Sequence, residues 1–269
     1  MTTTTYPTVP APASHATAIT RTVNGEWTKL RTLPSTWRTV IITTAMAIGL
    51  SAVAVAIQVS GWNGMTAQQH QMFDPTSASL TGLIVAAIVL GALGVRTVTS
   101  EYSTGMIRAT FTAMPARRLV LAAKAATTAA LVFPITLVTN VAGFALGQRI
   151  LASKHLQVTI GHPGVVQAII FGALGVSLVT VIGVGLAGVI RHTAGAVTAL
   201  AMLIVGTFTL QALIPTGLRP YMPGTALQAS VTVHRSAGLL TPGTAIVVLG
   251  VYAAIALSAA TLRVAHRDA

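Results

Sequence analysis

The chain has no cysteine, only four acidic residues and few aromatics among its 269 positions, and each shortage closes off a class of function. Without cysteine there are no disulfides, no thiolate nucleophile and no Cys-ligated zinc. Charged residues make up 7% of the chain against 53% hydrophobic, where soluble domains carry roughly 25% charge. Mean hydropathy is +0.78, so an ordinary water-soluble domain is excluded. The histidines fall outside the apolar runs, with no H-x-x-x-H pair and no carboxylate cluster beside them. Neither a metal site nor a catalytic set is therefore expected. A G-x-x-x-x-G-K-[ST] phosphate loop is also missing, which leaves no route to ATP hydrolysis through that motif.

What the chain does have is basic charge, 16 Lys and Arg against four acids for a formal +12. The basic residues sit between long uncharged runs rather than in one stripe, a pattern that suits membrane lipids and not nucleic acid. A span needs about 20 apolar residues, and a charge at its centre costs roughly 2.5–3.5 kcal/mol, so uncharged runs locate the spans. Six are expected, at 39–59, 79–98, 119–148, 165–190, 194–214 and 244–262. Before them, 1–20 is a Thr/Pro/Ala tail without apolar period and is expected to be disordered. From Val23, apolar residues recur at Trp27, Leu30, Leu33 and Trp37, with Glu26, Lys29, Arg31 and Arg38 around them. That predicts an amphipathic helix over 23–37 lying in the headgroup layer, interrupted by Pro34, with Ser35 placed to cap the first span.

Lys and Arg are retained on the cytoplasmic side of a membrane. With the N-terminus inside, Arg21, Lys29, Arg31, Arg38, Arg96, Arg108, Arg117, Arg118, Lys124, Arg191, Arg263 and Arg267 face the cytoplasm, leaving Arg149, Lys154, Arg219 and Arg235 outside. Both termini are thus expected in the cytoplasm. Gly143-x-x-x-Gly147 and the glycines between Gly172 and Gly188 allow close helix approach, and Pro134 is expected to kink the third span. The stretch 215–242 is too rich in Pro and Gly for a span and too apolar for a free loop, which suggests a segment dipping into the membrane. No ionisable group is expected at mid-depth.

The densest chemistry lies in 99–118. Thr99 or Ser100 is placed to cap a short helix with Glu101 in its first turn, Met106, Ile107 and Phe111 as an apolar face, and Arg108, Arg117 and Arg118 as its rim. Such a helix could dock into a groove on another protein. Read from the residues alone, the segment is equally an ordinary basic loop in which Glu101 pairs with Arg96 or Arg108.

Glu26-Trp-Thr-Lys-Leu-Arg31 with Ser35-Thr-Trp37, and Thr99-Ser-Glu-Tyr-Ser-Thr-Gly-Met-Ile-Arg-Ala-Thr110 with Ala116-Arg-Arg118 and Ala122-Ala-Lys-Ala125, resemble the membrane subunits of ABC-2 type transporters, actinobacterial ones in particular. The resemblance implies an all-α polytopic fold of type V exporter-like architecture, with 21–269 as one permease domain in a bacterial plasma membrane. It implies a second permease copy or paralogue, and separate cytoplasmic ABC ATPase subunits that bind ATP and Mg while this chain carries no cofactor. Residues Glu26 to Trp37 would form the connecting helix, and Glu101, Tyr102, Met106, Ile107, Arg108 and Phe111 the contact surface of the coupling helix. Arg191 and His192 would make a second ATPase contact, and 215–242 the re-entrant outer hairpin. Asn140 and Gln211 are candidates for a substrate path, or else interhelical hydrogen bonds. The expected function is export of a hydrophobic or amphipathic compound such as a drug, antibiotic or lipid. The alternative is an ATPase-associated membrane sensor or resistance partner that does not transport.

Overall fold

The computed structural model describes residues 15–106, 117–234 and 238–267. Among them there is no β-strand, and the α-helices in chain order are α1 (His15–Thr32), α2 (Pro34–Gly61), α3 (Ala67–Met72), α4 (Pro75–Ser79), α5 (Leu83–Ser103), α6 (Arg117–Leu151), α7 (Val165–Ile190), α8 (Thr193–Thr209), α9 (Pro223–Ala229) and α10 (Pro242–Arg267). Four of them, α2, α4, α9 and α10, open on a proline, where the missing N–H has no partner to lose and the fixed φ is already helical.

Helix α7 is the central post, packed by α5, α6 and α10. Its glycines let backbones touch. A Cβ at Gly183 would lie 2.5 Å from the Gly91 carbonyl oxygen of α5, and one at Gly185 would lie 2.6 Å from the Ala256 backbone of α10. The Gly143/Gly147 pair of α6 receives α4, with a Cβ at Gly147 colliding with the Ser79 side chain and one at Gly143 also reaching Ser51 of α2. Pro134 lies inside α6 without ending it.

Among the described residues, five helices, α2, α5, α6, α7 and α10, are long and apolar enough to cross a membrane. The expected fifth span, 194–214, is shorter than predicted. Helix α8 has 17 residues, about 25 Å at 1.5 Å per residue, and gives way to a 3-10 turn at Gln211–Leu213. The second span is displaced towards the C-terminus. Ser79 belongs to α4, and the turn after it places Gly82 against α2, where a Cβ would collide with the Ala47 carbonyl. At its other end α5 runs on through Thr99 to Ser103, and hydroxyls in this polar run find their partners in the helix's own carbonyls: Thr97 donates to Gly94 (2.7 Å), Thr99 to Val95 (3.2 Å) and Ser100 to Arg96 (2.6 Å). Thr99 and Ser100 therefore continue a helix instead of capping a new one. Likewise α1 starts at His15, within the expected tail.

The expected 23–37 helix is two pieces. Leu33 is extended (φ −76°, ψ 115°) between α1 and α2, and it, not Ser35, holds the N-cap position. Trp37 thus belongs to α2, and its indole N–H donates to the Arg31 carbonyl at 2.8 Å, satisfying an end-of-helix acceptor across the bend. Along 215–242, α9 is a seven-residue helix whose Pro223 to Leu227 run is buried, packed among α5, α7, α8 and α10.

Candidate functional site

One end of the bundle gathers α1, the end of α5, the start of α6 and the α7–α8 turn, and there four charges form a closed cluster. Lys124 of α6 donates to Glu26 Oε2 at 2.8 Å and to Glu101 Oε1 at 2.6 Å. Lys29 of α1 donates to Glu26 Oε1 at 2.9 Å and to the same Glu101 Oε1 at 2.8 Å. Two carboxylates and two ammonium groups make the cluster neutral. The side chains of Lys124, Glu101 and Glu26 are 3%, 4% and 8% exposed and that of Lys29 is 44% exposed. Burial works against the Lys29 ammonium, but hydrogen bonds and charge from Glu101 and Glu26 outweigh it and hold Lys29 above the ordinary lysine value. Glu101 Oε2 is buried and accepts no hydrogen bond among the described residues, which leaves the cluster one donor short.

A second contact lies alongside. Arg191 ends α7 in the left-handed region (φ 61°), and its guanidinium sits 5.2 Å from the centre of the Tyr102 ring on α5, within cation–π range. His192 caps α8, its Nδ1 accepting from the Gly195 N–H at 3.4 Å. Thr193 Oγ1 donates to Thr99 Oγ1 at 2.8 Å. The α7–α8 turn is thereby fastened to the same end of α5 that carries Glu101.

The structure thus brings together Glu26, Lys29, Glu101, Tyr102, Arg191 and His192 from three separate segments. Glu101 pairs with lysines and not with Arg96, which is exposed. Glu26 lies on the buried face of α1 beside Leu30, whereas Trp27 and Trp37 are 40% and 41% exposed. The predicted apolar face is split because the charge cluster takes the inward position. Arg31 is exposed, and so is Met106 at 49%. Ile107, Arg108 and Phe111 lie outside the described residues. Asn140 is buried and donates to the Ile169 carbonyl at 3.1 Å, an α6–α7 hydrogen bond. The side chain of Gln211 lies outside the described residues.

Sequence reasoning missed Lys124 as the keystone, although a lysine set among alanines in an apolar run calls for a buried partner. It also missed two staples at the opposite end. Asp74 accepts four backbone N–H groups, from Thr76 (2.9 Å) and Ser77 (3.2 Å) on Oδ1 and from Val233 (2.7 Å) and His234 (3.1 Å) on Oδ2. Gln148 holds Pro75 and Ser79 through its Nε2 and the Val158 N–H through its Oε1.

Long apolar helices on a glycine-lined post, with the charges of the described residues gathered towards the bundle ends, define an all-α multi-pass membrane protein. Residues 22–219 match the family described as ABC-2 family transporter protein, and the chain belongs to that family. It is the permease subunit of an ABC transporter, a membrane transport component that works with an ABC ATPase subunit. No curated protein matches the chain significantly.

Proposed function

We propose that the chain is the membrane half of an exporter, oriented with the charge-cluster end towards the cytoplasm. A separate ATPase drives it there, and its cargo is a hydrophobic or amphipathic compound. The observation that carries this reading is the Glu26–Lys29–Glu101–Lys124 cluster, which ties the helix before the first span to the ends of the next two. A partner that pushes on 99–118 moves α5, and the cluster passes that displacement to α1 and α6 together. Such a push biases the permease only to the extent that one ATPase state fits its contact surface better than the other.

The orientation is supported by the gathering of Lys and Arg at this end, and the lipid-facing role of α1 by its exposed Trp27 and neighbouring Arg31. Two such chains, or this chain and a paralogue, would form the transmembrane unit in a bacterial plasma membrane, with 215–242 as a re-entrant hairpin shielded by α8 and α10. ATP and Mg would stay with the ATPase. The test is reconstitution with that ATPase in vesicles. Glu101→Gln should lower cargo flux and cargo-stimulated ATP hydrolysis while leaving nucleotide binding intact. Undiminished coupling in that variant overturns the assignment. Stimulated hydrolysis without flux in the unmodified complex would point to a sensor instead.

A further inference from the structure

At the end opposite the charge cluster, a cavity of about 560 Å³ opens between the last turn of α2, the α3–α4 segment, the start of α5, Phe208 of α8 and Gln228 of α9. Its volume falls within the range of small-molecule sites, about 300–1,000 Å³. The wall is mainly apolar, with Met65, Met72, Phe73, Leu83, Ile84 and Phe208, and thioethers and rings adapt to varied shapes. Among the described residues, Asp74 is the sole acidic or basic group in this wall. Both of its oxygens are already taken by the four backbone N–H groups, and the residue is 7% exposed. Among the described residues, no lysine, arginine or histidine lines the cavity.

Three carboxamides supply the polarity, together with the hydroxyls of Ser77 and Thr81, whose protons are already given to the Asp74 and Ala78 carbonyls. Gln69 Oε1 is occupied by the Thr66 N–H at 2.8 Å. The Gln58 and Gln228 side chains make no hydrogen bond among the described residues. An ion entering here would lose hydration without meeting a free opposite charge, whereas a neutral molecule with a hydrogen-bonding group would meet open amide donors and acceptors.

The geometry points to this cavity as a binding site for an uncharged, largely apolar molecule bearing a hydrogen-bond acceptor, held by Gln58 and Gln228 over the Met72 and Phe208 wall. That the occupant is cargo rests on the transport reading; the binding itself does not.

The absence of native cysteine makes a single introduced thiol a unique reporter. Met72→Cys places it in the wall, and Ser153→Cys places an exposed one away from the cavity. Each full-length variant, in phosphatidylcholine nanodiscs open on both faces, is labelled with a maleimide. The probes are triphenylphosphine oxide (neutral, with a P=O acceptor) and the lipophilic ions tetraphenylphosphonium and tetraphenylborate. At a concentration four times its dissociation constant the oxide should slow labelling of Met72→Cys about fivefold by mass action. It should leave Ser153→Cys unchanged, and both ions should protect far less. Adding Gln58→Leu and Gln228→Leu should abolish the protection. Equal protection by all three probes, protection at Ser153→Cys, or protection that survives the double leucine variant overturns the proposal, as does no protection at all. Because no ATPase is present, protection without nucleotide-driven flux in the reconstituted complex would refute the transport reading alone, and flux without protection would refute the cavity alone.

Discussion

Replacing Lys124 with methionine keeps most of the side-chain volume and removes one of the four charges that join α1, α5 and α6. Glu26 and Glu101, 8% and 4% exposed at their side chains, are left sharing Lys29, which is 44% exposed. Breaking a buried ion pair by deleting one partner costs about 3–5 kcal/mol, because the remaining charge is stranded. At roughly 2–4 °C per kcal/mol for a chain of this size, Tm should fall by about 6–20 °C. Thermal unfolding in detergent, followed by size-exclusion recovery, measures it. The double variant Lys124→Met with Glu101→Gln removes one charge of each sign and should regain most of the loss. A double variant that loses less than the sum of the two singles is the signature of direct pairing. A single variant within about 2 °C of the unmodified protein, or a double variant as unstable as the sum of the two singles, would refute the cluster as a structural keystone.

The raised Lys29 ammonium stabilises the fold below the ordinary lysine value of 10.5, and that contribution is lost as pH rises through its higher folded value. The Tm gap between the unmodified protein and Lys29→Gln should therefore be constant through neutral pH and close only above about pH 10.5. Asp74→Ala removes the acceptor of four backbone N–H groups and should cost about 2–4 kcal/mol, read as a lower Tm and faster proteolysis near Val233. Gly183→Ala forces a Cβ to within 2.5 Å of the Gly91 carbonyl oxygen, so α5 and α7 must separate. A loss of about 1–3 kcal/mol is expected in the same thermal assay, against a negligible change for Gly250→Ala, whose surroundings are open. Trp37→Phe deletes one indole hydrogen bond across the α1–α2 bend and should cost about 1 kcal/mol.

Apolar run length made the long helices legible, most fully at α7, where expected and observed bounds coincide at Val165–Ile190. Polar residues hid the rest. Thr97 to Ser103 look like the end of a span, yet α5 runs five residues further, its hydroxyls satisfied by their own helix's carbonyls and Glu101 buried against two lysines. Glu101 was visible as a candidate because it is a charge in a dense polar segment, and the α7–α8 turn because the family resemblance implied a contact there. Their partners were not, since hydropathy along one strand of sequence does not say which helix ends meet. The acid inventory held an unused clue. With four acidic residues in the whole chain, a lysine embedded at position 124 has very few possible counter-ions, and the structure supplies two of them. Asp74 and Gln148 were invisible for another reason: their partners are backbone amides and carbonyls, which every sequence contains.

The touching backbones of α5, α7 and α10 restrict how this molecule can change shape. Where glycine brings main chains together there are few rotamers to give way, so sliding one helix past another must proceed in discrete steps or not at all. The post and its immediate neighbours should travel as a single body. Freedom is left to the one extended residue, Leu33, between α1 and α2 and to the largely unpacked outer flank of α2.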